Sequence, residues 1–174
     1  LYNGDREQIG KTELTQGTAS VTIPEQGFDP GTFYIQVKTN AMTNGNWSGA
    51  EQYTLTADFT PTDSTYESEP NDSTSRADVM LPNTPVSGKL SDESDVDYYK
   101  VTLDSAAQFS LCLEHALPDD LSSSGTPWTV TCYPFDEKTG TLREDKAVTL
   151  DAALGKTKTE SETVLVRGGT YYCL

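Results

Sequence analysis

The sequence of 174 residues has little of what many enzymes, membrane proteins and nucleic-acid-binding proteins need. It contains one histidine, three cysteines, 12 basic residues against 27 acidic ones, and only 34% hydrophobic residues. No apolar run approaches the ~18 residues of a membrane span, so we expect no membrane insertion. A net charge of −15 opposes nucleic-acid binding, because phosphates repel an acidic surface. The low apolar fraction predicts a thin core.

The shortage of histidine and cysteine also limits catalysis and metal chemistry. A hydrolytic triad would need His115 as its base, and no GxSxG motif accompanies it, so we predict no catalytic site. An odd number of cysteines leaves at least one thiol unpaired within the chain. Cys112, Cys132 and Cys173 all lie in apolar, strand-like contexts, where we expect them to be buried as small hydrophobic residues. A disulfide between Cys112 and Cys132 is an alternative, although their spacing does not support it.

Helix signals are nearly absent, and the one candidate helix covers Ser73 to Met80. Elsewhere, short runs of β-branched and aromatic residues lie between Gly, Pro, Asn and Asp. Residues 32–37 alternate sides, with Phe33, Ile35 and Val37 expected to face a core. Many short strands predict an antiparallel, all-β sandwich or barrel. The expected strands are residues 20–23, 32–37, 52–59, 97–103, 109–113, 128–135, 146–150 and 163–166.

An internal repeat predicts how these strands are organised. Residues 29–37 (DPGTFYIQV) and 167–174 (RGGTYYCL) share Gly-Thr-aromatic-Tyr, each after an apolar strand and a glycine-containing turn. We therefore expect two tandem copies of one unit, over residues 1–60 and 67–174, joined by a polar linker at 61–66. Because no leader segment is visible and the last residues favour a strand, we expect the chain to be a piece of a longer polypeptide. The first copy would then lack its N-terminal half, and the second its last strand.

Two acidic clusters form the one dense polar constellation, at residues 67–72 and 91–98. Carboxylates so close together repel one another unless a cation lies between them. Ca²⁺ takes six to eight oxygen ligands from carboxylates, amide and backbone carbonyls and water. The alternative is a solvated acidic linker in which Asp and Asn form turns. The candidate calcium ligands are Glu67, Glu69, Asn71, Asp72, Asp95 and Asp97.

Residues 67–103 resemble the opening of the bacterial pre-peptidase C-terminal domain. That family typically opens with E-x-E-P-N-[DN], followed by V-x-G-x-L and D-x-D-Y, and this order is found here. Its closing motif, G-[TR]-Y-Y, matches Gly169 to Tyr172. In the first copy the closing motif matches residues 31–37, and the final strand of the family matches 53–56.

The resemblance implies a jelly-roll-like β-sandwich that is secreted or displayed on the cell surface and is not catalytic. Such domains are appended to bacterial peptidases, and the collagen-binding modules of bacterial collagenases are similar. In those modules the acidic motifs bind calcium, which adds Ser87 to the candidate ligands. The implied role is accessory, in spacing, folding or attachment, with neighbouring domains of the same polypeptide as partners.

A specific ligand binder, for a carbohydrate or a matrix protein, is the alternative function. Trp47 lies in a polar loop and is the best candidate for stacking on a ligand, unless its ring folds onto the edge of its own sandwich. Collagen binding transfers poorly from the resemblance, because residues 38–41 lack the aromatic side chains that those modules use.

Overall fold

The structure, a computed structural model, describes residues 1–14, 18–38, 52–61, 65–90, 94–115, 128–152 and 155–174. Within these ranges it is all-β, as predicted, with one short 3₁₀ turn at Glu144–Lys146. Within the described ranges, no helix is long and apolar enough to cross a membrane. The strands are β1 (Asp78–Val79), β2 (Tyr99–Leu103), β3 (Ala107–Phe109), β4 (Cys112–Glu114), β5 (Thr129–Asp136), β6 (Thr141–Leu142), β7 (Val148–Asp151), β8 (Lys158–Glu160), β9 (Val164–Val166) and β10 (Gly169–Cys173).

The largest sheet has six strands in the order β1-β2-β10-β5-β6, with β7 also paired to β5. Strand β10 lies at its centre and is antiparallel to both β2 and β5, whereas β1 runs parallel to β2. Alternate residues of these strands point to one face and form the core. Its buried members are Val101, Leu111, Cys132, Leu150, Tyr171 and Cys173.

Two shorter ladders, β3 with β9 and β4 with β8, supply apolar side chains to the same core. Phe109, Leu113 and Val166 are partly buried against it, and the Phe109 ring stacks on Tyr171 at a centroid distance of 6.1 Å. The predicted strand 109–113 is thus divided between β3 and β4. The arrangement is consistent with a β-sandwich.

The cysteines differ from their predicted pattern in one respect. Cys132 and Cys173 are buried, as expected, and form a disulfide between the adjacent strands β5 and β10. Cys112 is exposed and free, so the prediction that it is buried is wrong, and it is not bridged to Cys132. Its strand β4 belongs to a two-stranded ladder, where alternate residues face away from the core.

The predicted strands of the N-terminal part are not found. Residues 20–23, 32–37 and 52–59 lie outside strands, and only Tyr34 forms an isolated bridge, to Tyr2. Ile35 and Val37 are exposed, so the prediction that they face a core is wrong, whereas Phe33 is half-buried and lies beside Phe28. A two-residue period gives a strand only where a second strand pairs with it and another layer covers it.

The predicted helix at Ser73 to Met80 is also wrong. Residues 73–76 form turns, and Asp78 and Val79 form β1, which pairs with Tyr99 and Lys100. The helix had only a weak N-terminal cap, so it could not compete with parallel pairing to β2. Strand β1 follows the first acidic cluster in the chain, and β2 follows the second. Their pairing therefore brings the two acidic clusters close together.

Candidate metal centre

The first acidic cluster, residues 67–72, is called the acidic loop below, and backbone hydrogen bonds fix its start. The Glu67 N–H donates to the Ser87 carbonyl at 2.9 Å, and the Ser87 N–H donates to the Thr65 carbonyl at 2.8 Å. Tyr66 and Ser87 thereby form a parallel bridge. The backbone of Ser87 therefore positions Glu67, while the residue itself is exposed.

Glu67 is the most deeply placed acid of the site, with 2% of its surface exposed. Its Oε1 accepts the Lys89 N–H at 2.5 Å, and its Oε2 accepts the Tyr99 hydroxyl at 2.9 Å. A Cβ on Gly88 would lie 2.3 Å from Glu67 Oε2 and 2.5 Å from the Tyr99 hydroxyl, so only glycine fits there. These contacts fix the position of the buried Glu67 side chain.

Asn71 is fully buried and anchors the other end of the loop. Its carbonyl accepts the Tyr98 N–H at 3.1 Å, just before β2, and its Nδ2 donates to Asp78 Oδ2 at 3.3 Å. The same Asp78 oxygen accepts the Ser68 N–H at 2.8 Å. Asp78 therefore holds both ends of the loop from β1.

The fold brings five predicted acidic residues together; they are called the carboxylate cluster below. Oxygen atoms of Glu67, Glu69 and Asp97 lie within 4.8 Å of one another. Oxygen atoms of Glu69, Asp72 and Asp95 meet the same limit, so Glu69 belongs to both groups. In the first group Glu67 is buried and the other two acids are half-buried; the second group is more open, with Asp72 exposed.

Three oxygens around this cluster are buried without a hydrogen-bond partner: Glu69 Oε1, Asn71 Oδ1 and Asp97 Oδ1. A buried acceptor left unpaired costs about 1–3 kcal/mol, so such atoms are rare in folded proteins. Asn71 is informative because its amide nitrogen is bonded to Asp78 while its oxygen has no donor. A cation held by Glu67, Glu69 and Asp97 would give the Glu69 and Asp97 carboxylates a partner.

Burial and crowding raise the pKa values of two cluster acids. Burial, and secondly the charge of Asp95, raises the pKa of Glu69 to about 7. Burial, and secondly the hydrogen bond with Glu67, raises the pKa of Asp97 to about 8. Burial, followed by the charge of Glu67, also raises the pKa of Tyr99 above its usual range, which keeps its hydroxyl a donor.

The remaining sequence-based candidates fall outside this centre. Ser87 contributes its backbone to the position of Glu67, and its predicted role as a calcium ligand stays a prediction. Trp47, the predicted stacking residue, lies outside the described residues. Sequence analysis missed Asp78 and Tyr99, which position the loop and Glu67. The spacing of Tyr99, two residues after Asp97, could have indicated a shared face for these two side chains.

The donor set fits a hard divalent cation. Every candidate donor is a carboxylate or amide oxygen, and Ca²⁺ prefers such oxygens, whereas Zn²⁺ and Cu²⁺ favour nitrogen and sulfur. The turn-forming role considered as the alternative is also present, because the Ser73 N–H donates to the Asn71 carbonyl at 2.9 Å. That hydrogen bond uses the backbone of Asn71 and leaves its side-chain oxygen for a cation.

Comparison of the chain with protein-family models, with curated proteins and with solved structures gave no match. The resemblance to the pre-peptidase C-terminal domain therefore stays a hypothesis that rests on the motifs alone.

The raised pKa values predict an unusual pH dependence for the metal-free protein. Folded Glu69 and Asp97 keep their protons up to about pH 7 and 8, whereas in the unfolded chain both lose them near pH 4. The folded state therefore binds more protons between these limits. The free energy of unfolding should fall as pH rises from about 4 to about 8, and urea denaturation in EDTA measures it.

Two variants test the origin of this slope. Asp97→Asn should flatten it, because the substitution removes a titrating acid, whereas the exposed Glu162→Gln should leave it unchanged. A metal-free stability that stays constant or increases over this range would contradict the prediction.

Proposed function

We propose that this chain is a non-catalytic accessory module of a secreted or cell-surface bacterial protein, stabilised by Ca²⁺ at the acidic loop. The observation that carries the proposal is the set of unpartnered buried oxygens on Glu69, Asn71 and Asp97 beside clustered carboxylates. A cation offsets the repulsion within the cluster and stabilises the folded state by mass action. The role of the Ca²⁺ ion would be structural, since it would hold the acidic loop against the main sheet.

One further observation supports a location outside the cytosol. The Cys132–Cys173 disulfide suits an oxidising environment. Extracellular calcium modules bind the ion with dissociation constants of ~10⁻⁴–10⁻³ M, and we expect an affinity in this range. The resemblance to pre-peptidase C-terminal domains, with a jelly-roll topology in tandem copies, agrees with this role. In such a protein the module would space, fold or attach its neighbouring domains.

A ligand-binding role is the second candidate function, and one cleft favours it. This cleft, of about 450 Å³, lies between residues 3–7, 28–33 and 68–78. Phe28 and Phe33 line it with ring centroids 5.0 Å apart, together with polar side chains. Aromatic and polar side chains together suit a carbohydrate or a segment of a matrix protein. Binding to immobilised polysaccharide or matrix protein that is lost in Phe28→Ala would favour this function over the spacer.

Calcium titration tests the first proposal directly. Isothermal titration of the full chain with CaCl₂ should give saturable heat, and Asp95→Ala/Asp97→Ala should give none, since each group of acids then loses a ligand. Calcium at about 100 times its dissociation constant should add about 2.7 kcal/mol to the free energy of unfolding of the parent. Equal heat from both proteins, or a melting temperature that EDTA does not change, would reject the calcium site.

A further inference from the structure

The acidic loop also serves as the docking surface for the N-terminal segment, defined as residues 1–14 and 18–38. The Glu69 N–H donates to the Gly27 carbonyl at 2.9 Å. The Asp29 N–H donates to Ser68 Oγ at 2.8 Å. Both of these hydrogen bonds end on Glu69, a candidate metal ligand, or on Ser68 beside it.

Gly27 makes the closest approach in this contact. It is buried, and a Cβ at its position would lie 2.2 Å from the Glu67 carbonyl oxygen and 2.5 Å from the Tyr66 ring. Real Cβ atoms do not come so near to a backbone oxygen, so any larger residue would push the segment off the loop. Gly31, in the same segment, has only the Asp29 carbonyl near its own Cβ position, at 3.7 Å.

Elsewhere the described contacts of the segment with the rest of the chain are weaker. The Glu7–Arg76 ion pair is solvent-exposed on both sides, and exposed pairs contribute about 0–1 kcal/mol. Residues 28–33 and residues 68–70 both line the open cleft described above, so this stretch of the segment is not fully packed against the loop. The only buried hydrophobic side chain among the described residues of the segment is Ile9. Its docking thus depends largely on the geometry of the acidic loop.

We propose that cation binding at the carboxylate cluster and docking of the N-terminal segment are coupled, so that each strengthens the other. The inference rests on the proposed calcium site. Glu69 links the two events, because its carboxylate belongs to both groups of acids and its N–H bonds to Gly27. Without a cation, the buried Glu69 Oε1 has no partner that holds the side chain in place. With a cation bound, Glu69 is fixed where its N–H can reach the Gly27 carbonyl.

Coupling of this kind is reciprocal, so a defect in docking must weaken cation binding by the same factor. The two glycines provide a matched pair of variants of the full chain. Gly27→Ala should raise the Ca²⁺ dissociation constant by about 5- to 10-fold, although it removes no ligand. Gly31→Ala should stay within about twofold of the parent, because its Cβ has room. Calorimetric titration with CaCl₂ measures all three proteins.

Hydrogen exchange of the unmodified chain gives an independent readout. The amides of Asp29 and Glu69, which make the docking hydrogen bonds, should exchange about 5- to 10-fold more slowly with CaCl₂ than with EDTA. The amide of Gly140, which bonds to the Asp136 carbonyl in the exposed turn between β5 and β6, exchanges by local opening and should change much less.

The outcomes separate the two proposals. Saturable calcium heat with equal affinity in Gly27→Ala and Gly31→Ala would overturn the coupling and leave the calcium site intact. Unchanged exchange of Asp29 and Glu69 in a protein that binds calcium would overturn it as well, even if Gly27→Ala failed to fold. Absence of calcium heat in the parent would overturn the calcium site itself.

Discussion

Glu67→Gln is expected to weaken calcium binding on the order of 100-fold and, in EDTA near pH 8, to raise the melting temperature. Calcium affinity depends strongly on the number of charged ligands, and Glu67 is the most buried of the clustered acids. Without calcium, the same charge repels Asp97, so its removal relieves the metal-free protein. Opposite changes in affinity and in stability distinguish a ligand from a purely structural acid.

Glutamine suits this test because it can keep the hydrogen bonds that Glu67 makes with Lys89 and Tyr99. Its Oε1 can accept the Lys89 N–H, and its amide can donate to the Tyr99 oxygen, since a phenol is both donor and acceptor. The exposed Glu162→Gln is the matched control and should change neither quantity. Calorimetry with CaCl₂ and thermal unfolding in EDTA measure the two effects. Unchanged affinity, or a lower metal-free melting temperature, would contradict the prediction.

Sequence-based prediction of strands succeeds where the predicted strand pairs with other strands in the structure. Residues 128–135 and 163–166 are predicted from β-branched and aromatic runs, and β5 and β9 confirm them. Residues 31–37 carry nearly the same Gly-Thr-aromatic-Tyr pattern as β10. Strand β10 has a neighbour on each side, whereas in residues 31–37 only Tyr34 is bridged. The two stretches have the same local sequence pattern. Whether such a stretch becomes a strand depends on pairing with distant strands, which the pattern does not show.

The candidate site shows the same division between local and distant information. The two acidic runs of the sequence supplied all five acids of the carboxylate cluster, whose oxygens fall in two groups that share Glu69. Partners such as Tyr99, 32 residues from Glu67, depend on how β2 packs against the loop. Spacing therefore gives the candidate ligands but neither their grouping nor their supports.

Removal of the Cys132–Cys173 disulfide is expected to lower the free energy of unfolding by about 4 kcal/mol. The two cysteines are 41 residues apart, and a cross-link over a loop of that length restricts the unfolded chain by about this amount in the chain-entropy treatment. Domains typically have about 5–15 kcal/mol of stability in total, so the loss is large here, where the described part of the chain has few buried hydrophobic residues.

The position of the disulfide explains why its loss should affect the whole molecule rather than one edge. It joins β5 to β10, the central strand of the main sheet, and both cysteines belong to the core. Guanidinium denaturation of Cys132→Ala/Cys173→Ala measures the effect, and Cys112→Ala, at the exposed free thiol, should change stability by less than about 0.5 kcal/mol. Alkylation of the unfolded parent without reductant should label one thiol, that of Cys112. Three labelled thiols, or equal midpoints for the two variants, would show that this bridge does not hold the sheet together.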